Sequence, residues 1–182
     1  TFTKSRPISK NNHNNVLLPF DTSRHFKFYI DKLALESKKD TAIWRGAAYQ
    51  PHRKLFLKQA SQLLGCDCQD TGRNSEQNFL RKSRAFLKPT DQLNHKFIFA
   101  IEGNELASNL KWIMASNSVA VMPKPSFEGW FAESMLIANQ HFIEVKSDFS
   151  NISEVLEYFL THPKECKEIS DESTNYTASF QN

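Results

Sequence analysis

Glycine is scarce, with five in 182 residues. That is too few for a glycine-rich phosphate loop or for a β-barrel with many tight turns. No apolar run comes near the roughly 18 residues that a membrane-spanning helix needs. The opening Thr1-Phe2-Thr3-Lys4-Ser5-Arg6 lacks the apolar core of a secretory signal. Cysteine is limited to Cys66, Cys68 and Cys166. An odd count closes no disulfide framework, and Cys66-x-Cys68 lacks the paired spacing of a zinc site, so free thiols in a reducing compartment are expected. The histidines are scattered, with no close pair on one helix or strand face to hold a metal. A Gly-x-Ser-x-Gly elbow, a Walker loop and a dinucleotide-binding glycine fingerprint are all missing. Sequons at Asn151 and Asn175 carry little weight without a secretory signal.

What is present is the composition of a globular protein: 40% hydrophobic and 24% charged residues in 21.0 kDa. That size fits one domain or a little more. The first residue is not Met and the opening segment has no obvious start, so a piece of a longer protein is expected. Charge is unevenly placed. Residues 1–96 carry 18 Lys+Arg against 8 Asp+Glu, and residues 97–182 carry 5 against 12. A basic half suits an anionic ligand or membrane surface, or is simply solvated. No compact Lys/Arg block or RNA-binding aromatic motif points to nucleic acid.

Periodicity predicts a strand at His25–Ile30, another at Ala42–Trp44, and a helix opened by Pro51 and ended by Gly65. Residues 66–75 read as a loop, and a basic helix is expected from about Glu76 to Phe86. Lys96–Ile101 and Ser118–Met122 are continuous apolar strands of the kind buried on both faces of a parallel sheet. Between them, Leu106, Leu110, Ile113 and Met114 recur at helical spacing from Glu105 onward. A short helix at Trp130–Ala138, a strand at His141–Val145, a helix from Ser150 to His162 and a last helix from Pro163 through Ile169 complete the pattern. Alternating strands and helices imply an α/β fold with a mostly parallel sheet.

In such a sheet, ligands bind at the carboxyl ends of strands. That rule selects Arg45-Gly46, and also Glu102-Gly103-Asn104-Glu105 with the following Ser108, Asn109 and Lys111. Free N–H groups and the helix dipole at residues 104–107 would favour a phosphate. Gly103 would admit close backbone approach, and Arg45 could add a bidentate clamp. Arg45 also reads as half of a structural salt bridge, and Lys111 as a solvated helix residue. A third candidate is the segment Pro123–Phe131. There Glu128 could accept from a diol or simply favour a helix start. Trp130 and Phe131 could stack on a ring or pack in the core. Asp148 reads as a cap near Ser150 rather than a catalyst.

The ordered series Trp44-Arg45-Gly46, Glu102-Gly103-Asn104, Ala107-Ser108-Asn109-Leu110-Lys111-Trp112, Glu128-x-Trp130-Phe131 and His141–Ser150 resembles glycosyltransferase family 90. That family includes lipopolysaccharide glycosyltransferases of the LpsA type, fungal capsule xylosyltransferases and animal protein O-glucosyltransferases. The resemblance spans about residues 3 to 180. It implies a GT-B fold of two Rossmann-like lobes, a nucleotide sugar in the cleft and no essential metal or other cofactor. Residues 41–182 would be the C-terminal, donor-binding lobe, and residues 1–40 a partial N-terminal or inter-lobe segment. Arg45 would meet the donor diphosphate, with the loop and helix start from Glu105 to Asn109 (Ser108 included) around it, and Gly46, Gly103 and Asn104 at the strand ends join them as donor-binding candidates. Lys111, Glu128 and Trp130 complete the donor-binding set. Asn109 stands where the animal enzymes carry a second arginine, as in the bacterial branch. The catalytic aspartate of animal relatives would lie upstream of this chain. The implied activity is transfer from a UDP-sugar to a lipopolysaccharide or related glycan hydroxyl, inverting, in the cytoplasm or on the inner membrane face. A non-catalytic nucleotide-sugar or glycan-binding module is the rival reading.

Overall fold

The computed structural model describes residues 1–9, 11–12, 14–19, 22–72 and 86–181. The basic helix expected near Glu76–Phe86 falls almost wholly outside them. The strands are β1 (Phe2–Thr3), β2 (Ser5–Pro7), β3 (Val16–Leu17), β4 (Lys39–Gly46), β5 (Cys66–Asp70), β6 (His95–Phe99), β7 (Val119–Met122), β8 (Phe127–Gly129) and β9 (Ile143–Glu144). The helices are α1 (Thr22–His25), α2 (Pro51–Ala60), α3 (Pro89–Gln92), α4 (Leu110–Met114), α5 (Ile152–Thr161) and α6 (Pro163–Ala178).

Five strands form one parallel sheet in the order β5-β4-β6-β7-β9. Apolar side chains fill both of its faces, as continuous apolar strands require. On one face Trp44, Phe97, Phe99, Val119 and Val121 pack against Phe56 of α2 and Ile152, Leu156 and Phe159 of α5. On the other, Ile43, Ile98, Ala120 and Met122 pack against Leu110, Ile113 and Met114 of α4 and against Phe131 and Phe142. Phe56 sits at the centre of the first layer, its ring 5.3 Å from Trp44 and 4.9 Å from Phe99 in edge-on contacts. Outside the sheet, β2 pairs antiparallel with β8 and β1 runs parallel to β3.

From β4 the chain passes to β5 on one side, then returns to place β6 on the other. The strand order therefore reverses between β4 and β6, the position at which open α/β sheets leave a crevice beyond the strand ends.

Several expectations differ from what is observed. His25–Ile30 forms no strand: α1 ends at His25, and residues 26–34 carry no regular secondary structure. Cys66–Asp70, expected as a loop, is the edge strand β5; an edge strand needs only one apolar side, and Cys68 is its buried residue. The Trp130–Ala138 helix shrinks to one 3₁₀ turn at Glu133–Met135, while α6 runs on to Ala178. All three cysteines are free, with burial raising the thiol pKa of Cys66 and Cys166 to about 11.

Gly46 ends β4 where the Trp44 ring folds over the backbone. A Cβ there would lie 2.5 Å from Trp44 Cζ2. Gly46→Ala must push the indole out of the Phe56 layer, and a loss of about 1–3 kcal/mol is expected in denaturant unfolding.

Candidate functional site

Two hollows, each of about 380 Å³, open beyond the ends of β4, β6 and β7 and share the turn Gly103-Asn104 and Leu106. The first is polar. Its wall comes from Lys4, from Ala47, Tyr49, Gln50 and Arg53 at the β4–α2 junction, and from Gly103 through Leu106 with Ser108. The second is mainly apolar, lined by Leu106, Leu110, Met122, Pro123, Phe127 and Phe149, with Glu102, Lys124, Ser126 and Glu133 among its polar groups.

Arg53 organises the polar hollow. Its Nε donates to the Glu102 carbonyl at 2.9 Å, Nη1 to Ala47 O at 2.9 Å and Nη2 to Ile101 O at 2.6 Å. The guanidinium lies 5.6 Å over the Trp44 ring and 3.4 Å from where a Gly103 Cβ would stand. A guanidinium has five N–H donors, so three bonds to main-chain carbonyls leave two available. Among the described residues no carboxylate pairs with it. Partial burial lowers its pKa, a shift from so high a value that it stays charged. A fixed cation with no counter-ion among the described residues, at the sheet's switch point, is a group disposed to meet an anion.

Gln50 bridges the two walls, donating Nε2 to Asn104 Oδ1 at 2.8 Å, while its Oε1 is buried with no hydrogen-bond partner among the described residues. Glu105, at the rim, accepts from Ser5 Oγ at 2.6 Å and lies 3.4 Å from Lys4 Nζ. The Ser5 hydroxyl, then Lys4, hold its carboxyl below the usual range. Those contacts persist above the ordinary carboxyl range and are lost as pH falls through the lowered value. Glu102 ties the apolar hollow together: its carboxylate accepts from Ser126 N at 3.0 Å, Phe127 N at 3.1 Å and the Ser126 hydroxyl.

The residues singled out in the sequence divide. Gly103, Asn104, Glu105 and Ser108 line the polar hollow. Arg45 does not. Alternation along β4 puts it on the face opposite Trp44, Gly46 and α2. There it donates to Asp67 Oδ2 at 2.5 Å, Asp67 O at 2.6 Å and Trp44 O at 2.9 Å, with its side chain 5% exposed. The clamp expected of Arg45 is thus a structural ion pair, and Gly46 is a seat for the Trp44 ring. Asn109 spans the turn instead of facing a ligand, donating Nδ2 to Phe99 O at 2.9 Å. Helix α4 begins only at Leu110 and is five residues long, so residues 104–107 carry no helix dipole; Leu106 and Ala107 belong to the irregular turn that walls the hollows.

Lys111 is neither solvated nor at the phosphate position. Every residue of α4 is buried, and Lys111 Nζ pairs with Glu133 Oε1 at 2.5 Å, both side chains 2% exposed. Glu128 is committed to Arg6 Nε at 2.7 Å and to the Ser134 hydroxyl, joining β2 to β8. Trp130 is 50% exposed and stands at a separate small recess, while Phe131 is core, in contact with Phe26, Tyr176 and Phe180. Asp148 accepts from Ser150 N and Oγ, as a cap would. Sequence reasoning missed Arg53, Gln50 and Glu133. Arg53 had a signal: it sits in the first turn of the helix that follows the switch-point strand.

Residues 21–181 match glycosyl transferase family 90. The chain belongs to that family. It is 39% identical over 180 residues to O-glucosyltransferase LpsA of Dichelobacter nodosus, covering 98% of this chain and 56% of LpsA. It is 27% identical over 101 residues to the uncharacterized protein 179R of Invertebrate iridescent virus 6, covering 52% of this chain and 8% of that protein. This family 90 chain therefore spans little more than half of LpsA. Its fold is similar to the C-terminal domain of the glycosyl transferase group 1 family protein LpcC from Francisella tularensis, with TM-score 0.53, 12% identity, and coverage of 87% of this chain and 96% of that one. The expected α/β fold, a parallel sheet flanked by helices, is thus observed. Among the described residues no helix is long and apolar enough to cross a membrane, and no three His, Cys, Asp or Glu side chains cluster to hold a metal.

Proposed function

We propose that this family 90 chain is the donor-binding lobe of a glycosyltransferase that moves a sugar from a nucleoside diphosphate, UDP in the first instance, to a hydroxyl of a lipopolysaccharide or related glycan. The observation that carries the reading is Arg53: a guanidinium pinned by three carbonyls, with no carboxylate partner among the described residues, beside Gly103 at the switch point. The donor diphosphate occupies the polar hollow against the two unused N–H groups. The orphaned Gln50 Oε1 supplies an acceptor for a ribose or sugar hydroxyl. The apolar hollow takes an uncharged part of the donor.

In this reading negative charge grows on the departing diphosphate as the acceptor hydroxyl displaces it. Arg53 is already aligned by its carbonyl bonds, so stabilising that charge requires no reorganisation. A base deprotonates the acceptor hydroxyl as it attacks, and inversion follows from a single displacement. A lipid-linked acceptor would bring the enzyme to the inner face of the membrane, where the basic half of the chain favours anionic lipid.

Calorimetric titration of the chain with UDP and UDP-glucose, together with a transfer assay on the full-length protein, tests the proposal. Saturable, salt-sensitive binding of UDP and transfer by the full-length protein are expected. Absence of UDP binding overturns the donor reading. Binding without transfer or donor hydrolysis by the full-length protein would instead mark a non-catalytic nucleotide-sugar module.

A further inference from the structure

Two ion pairs are buried among the described residues, and they differ in one respect. Asp31 of the Lys38–Asp31 pair also accepts from Leu33 N and Asn117 N, and lines neither large hollow. Glu133 of the Lys111–Glu133 pair takes one donor on each oxygen: Lys111 Nζ on Oε1 at 2.5 Å and Gly129 N on Oε2 at 2.7 Å. It also lines the apolar hollow. Each carboxylate oxygen offers two acceptor directions, so among the described residues one direction on each is unfilled.

A buried ion pair contributes little to stability compared with well-packed apolar side chains of similar volume. Its presence beneath an apolar hollow therefore calls for another reason, and a fixed acceptor for a ligand is the arrangement seen where few polar groups orient a bound molecule. Lys111 anchors the carboxylate, and is itself held by the Phe131 ring 5.3 Å below its Nζ. The surrounding walls, Leu106, Met122, Phe127 and Phe149, suit the C–H faces of a pyranose, whose hydroxyls need acceptors. The shared turn Gly103-Asn104 places this hollow directly beside the polar one, as a diphosphate and its attached sugar require.

We propose that Glu133 is the specificity-determining acceptor for hydroxyl groups of the donor's sugar, with Lys111 as its positioning residue. The proposal rests on the donor reading above and deepens it. The test compares UDP with UDP-glucose on the wild-type chain, on Glu133→Gln and on the double variant Lys111→Met/Glu133→Leu. The double variant replaces the pair by apolar side chains, and so separates loss of folding from loss of recognition. Wild type is expected to bind UDP-glucose more tightly than UDP. The double variant should melt below wild type only by what the Gly129 N–H loses with its acceptor, and well above Lys111→Met alone. It should bind UDP within about twofold of wild type, yet lose about tenfold or more for UDP-glucose, the scale of one hydrogen bond to a charged group. An equal loss for both ligands, or no loss for UDP-glucose, overturns the role of Glu133. If wild type binds neither ligand, the donor reading itself fails and takes this inference with it.

Discussion

Arg53→Ala in the full-length protein is expected to lower transfer by about 10²-fold or more, the scale of removing one preorganised donor from developing charge. The loss should appear in kcat and in kcat/KM, because the guanidinium meets its strongest charge as the diphosphate departs. Arg53 also ties Ala47, Ile101 and Glu102 together, so part of any effect could be structural. Arg53→Lys separates the two contributions. A lysine keeps a charge near the hollow but cannot span three carbonyls in a fixed plane, so partial activity with a comparable loss of stability is expected. Arg45→Ala provides the contrast. Its partner Asp67 is 43% exposed and can hydrate when left alone, so the cost should be modest, about 1–2 kcal/mol. Turnover at a temperature where the variant is folded should be near wild type.

The largest stability effect is expected from Lys111→Met alone. It leaves the Glu133 carboxylate 2% exposed with only Gly129 N to satisfy it. Removing one partner of a buried pair costs about 3–5 kcal/mol. For a protein of this size each kcal/mol corresponds to about 2–4 °C, so the melting temperature should fall by roughly 10 °C. Much of that loss should return in the double variant, whose two apolar side chains leave no charge stranded. Calorimetric melting of the three proteins checks both statements. A single variant that melts with wild type would mean that water entering through the hollow, which Glu133 lines, replaces the lost Lys111 contact.

Much of the fold was legible because it rests on strong, local signals. Phe97–Ala100 and Val119–Met122 are apolar without interruption, which both-face burial demands. Pro51 begins α2, and Ile152, Leu156 and Phe159 carry an unambiguous stripe along α5. β5 was illegible because an edge strand of Cys, Asp and Gln is written in the same residues as a loop. The over-long helix from Glu105 has a physical cause too. Leu106 is half-buried and lines the two hollows instead of packing on a helix face, so its helical spacing to Leu110 is coincidental.

The site was legible in position but not in detail. The rule of strand ends led to the turn at 103–108, which does line the polar hollow. The same rule points to Arg45 at the end of β4, although the period-2 alternation that buries Trp44 on the α2 face sends Arg45 to the other one. Lys111 was misplaced for a different reason: its partner is 22 residues downstream, and pairing across a fold leaves no periodic trace.

The most direct test of the account is a crystal structure of the chain with uridine diphosphate. The account predicts a phosphate oxygen within hydrogen-bonding distance of the Arg53 guanidinium, beside Gly103, with Arg45 still bound to Asp67. A diphosphate held elsewhere, with Arg53 untouched, would contradict it.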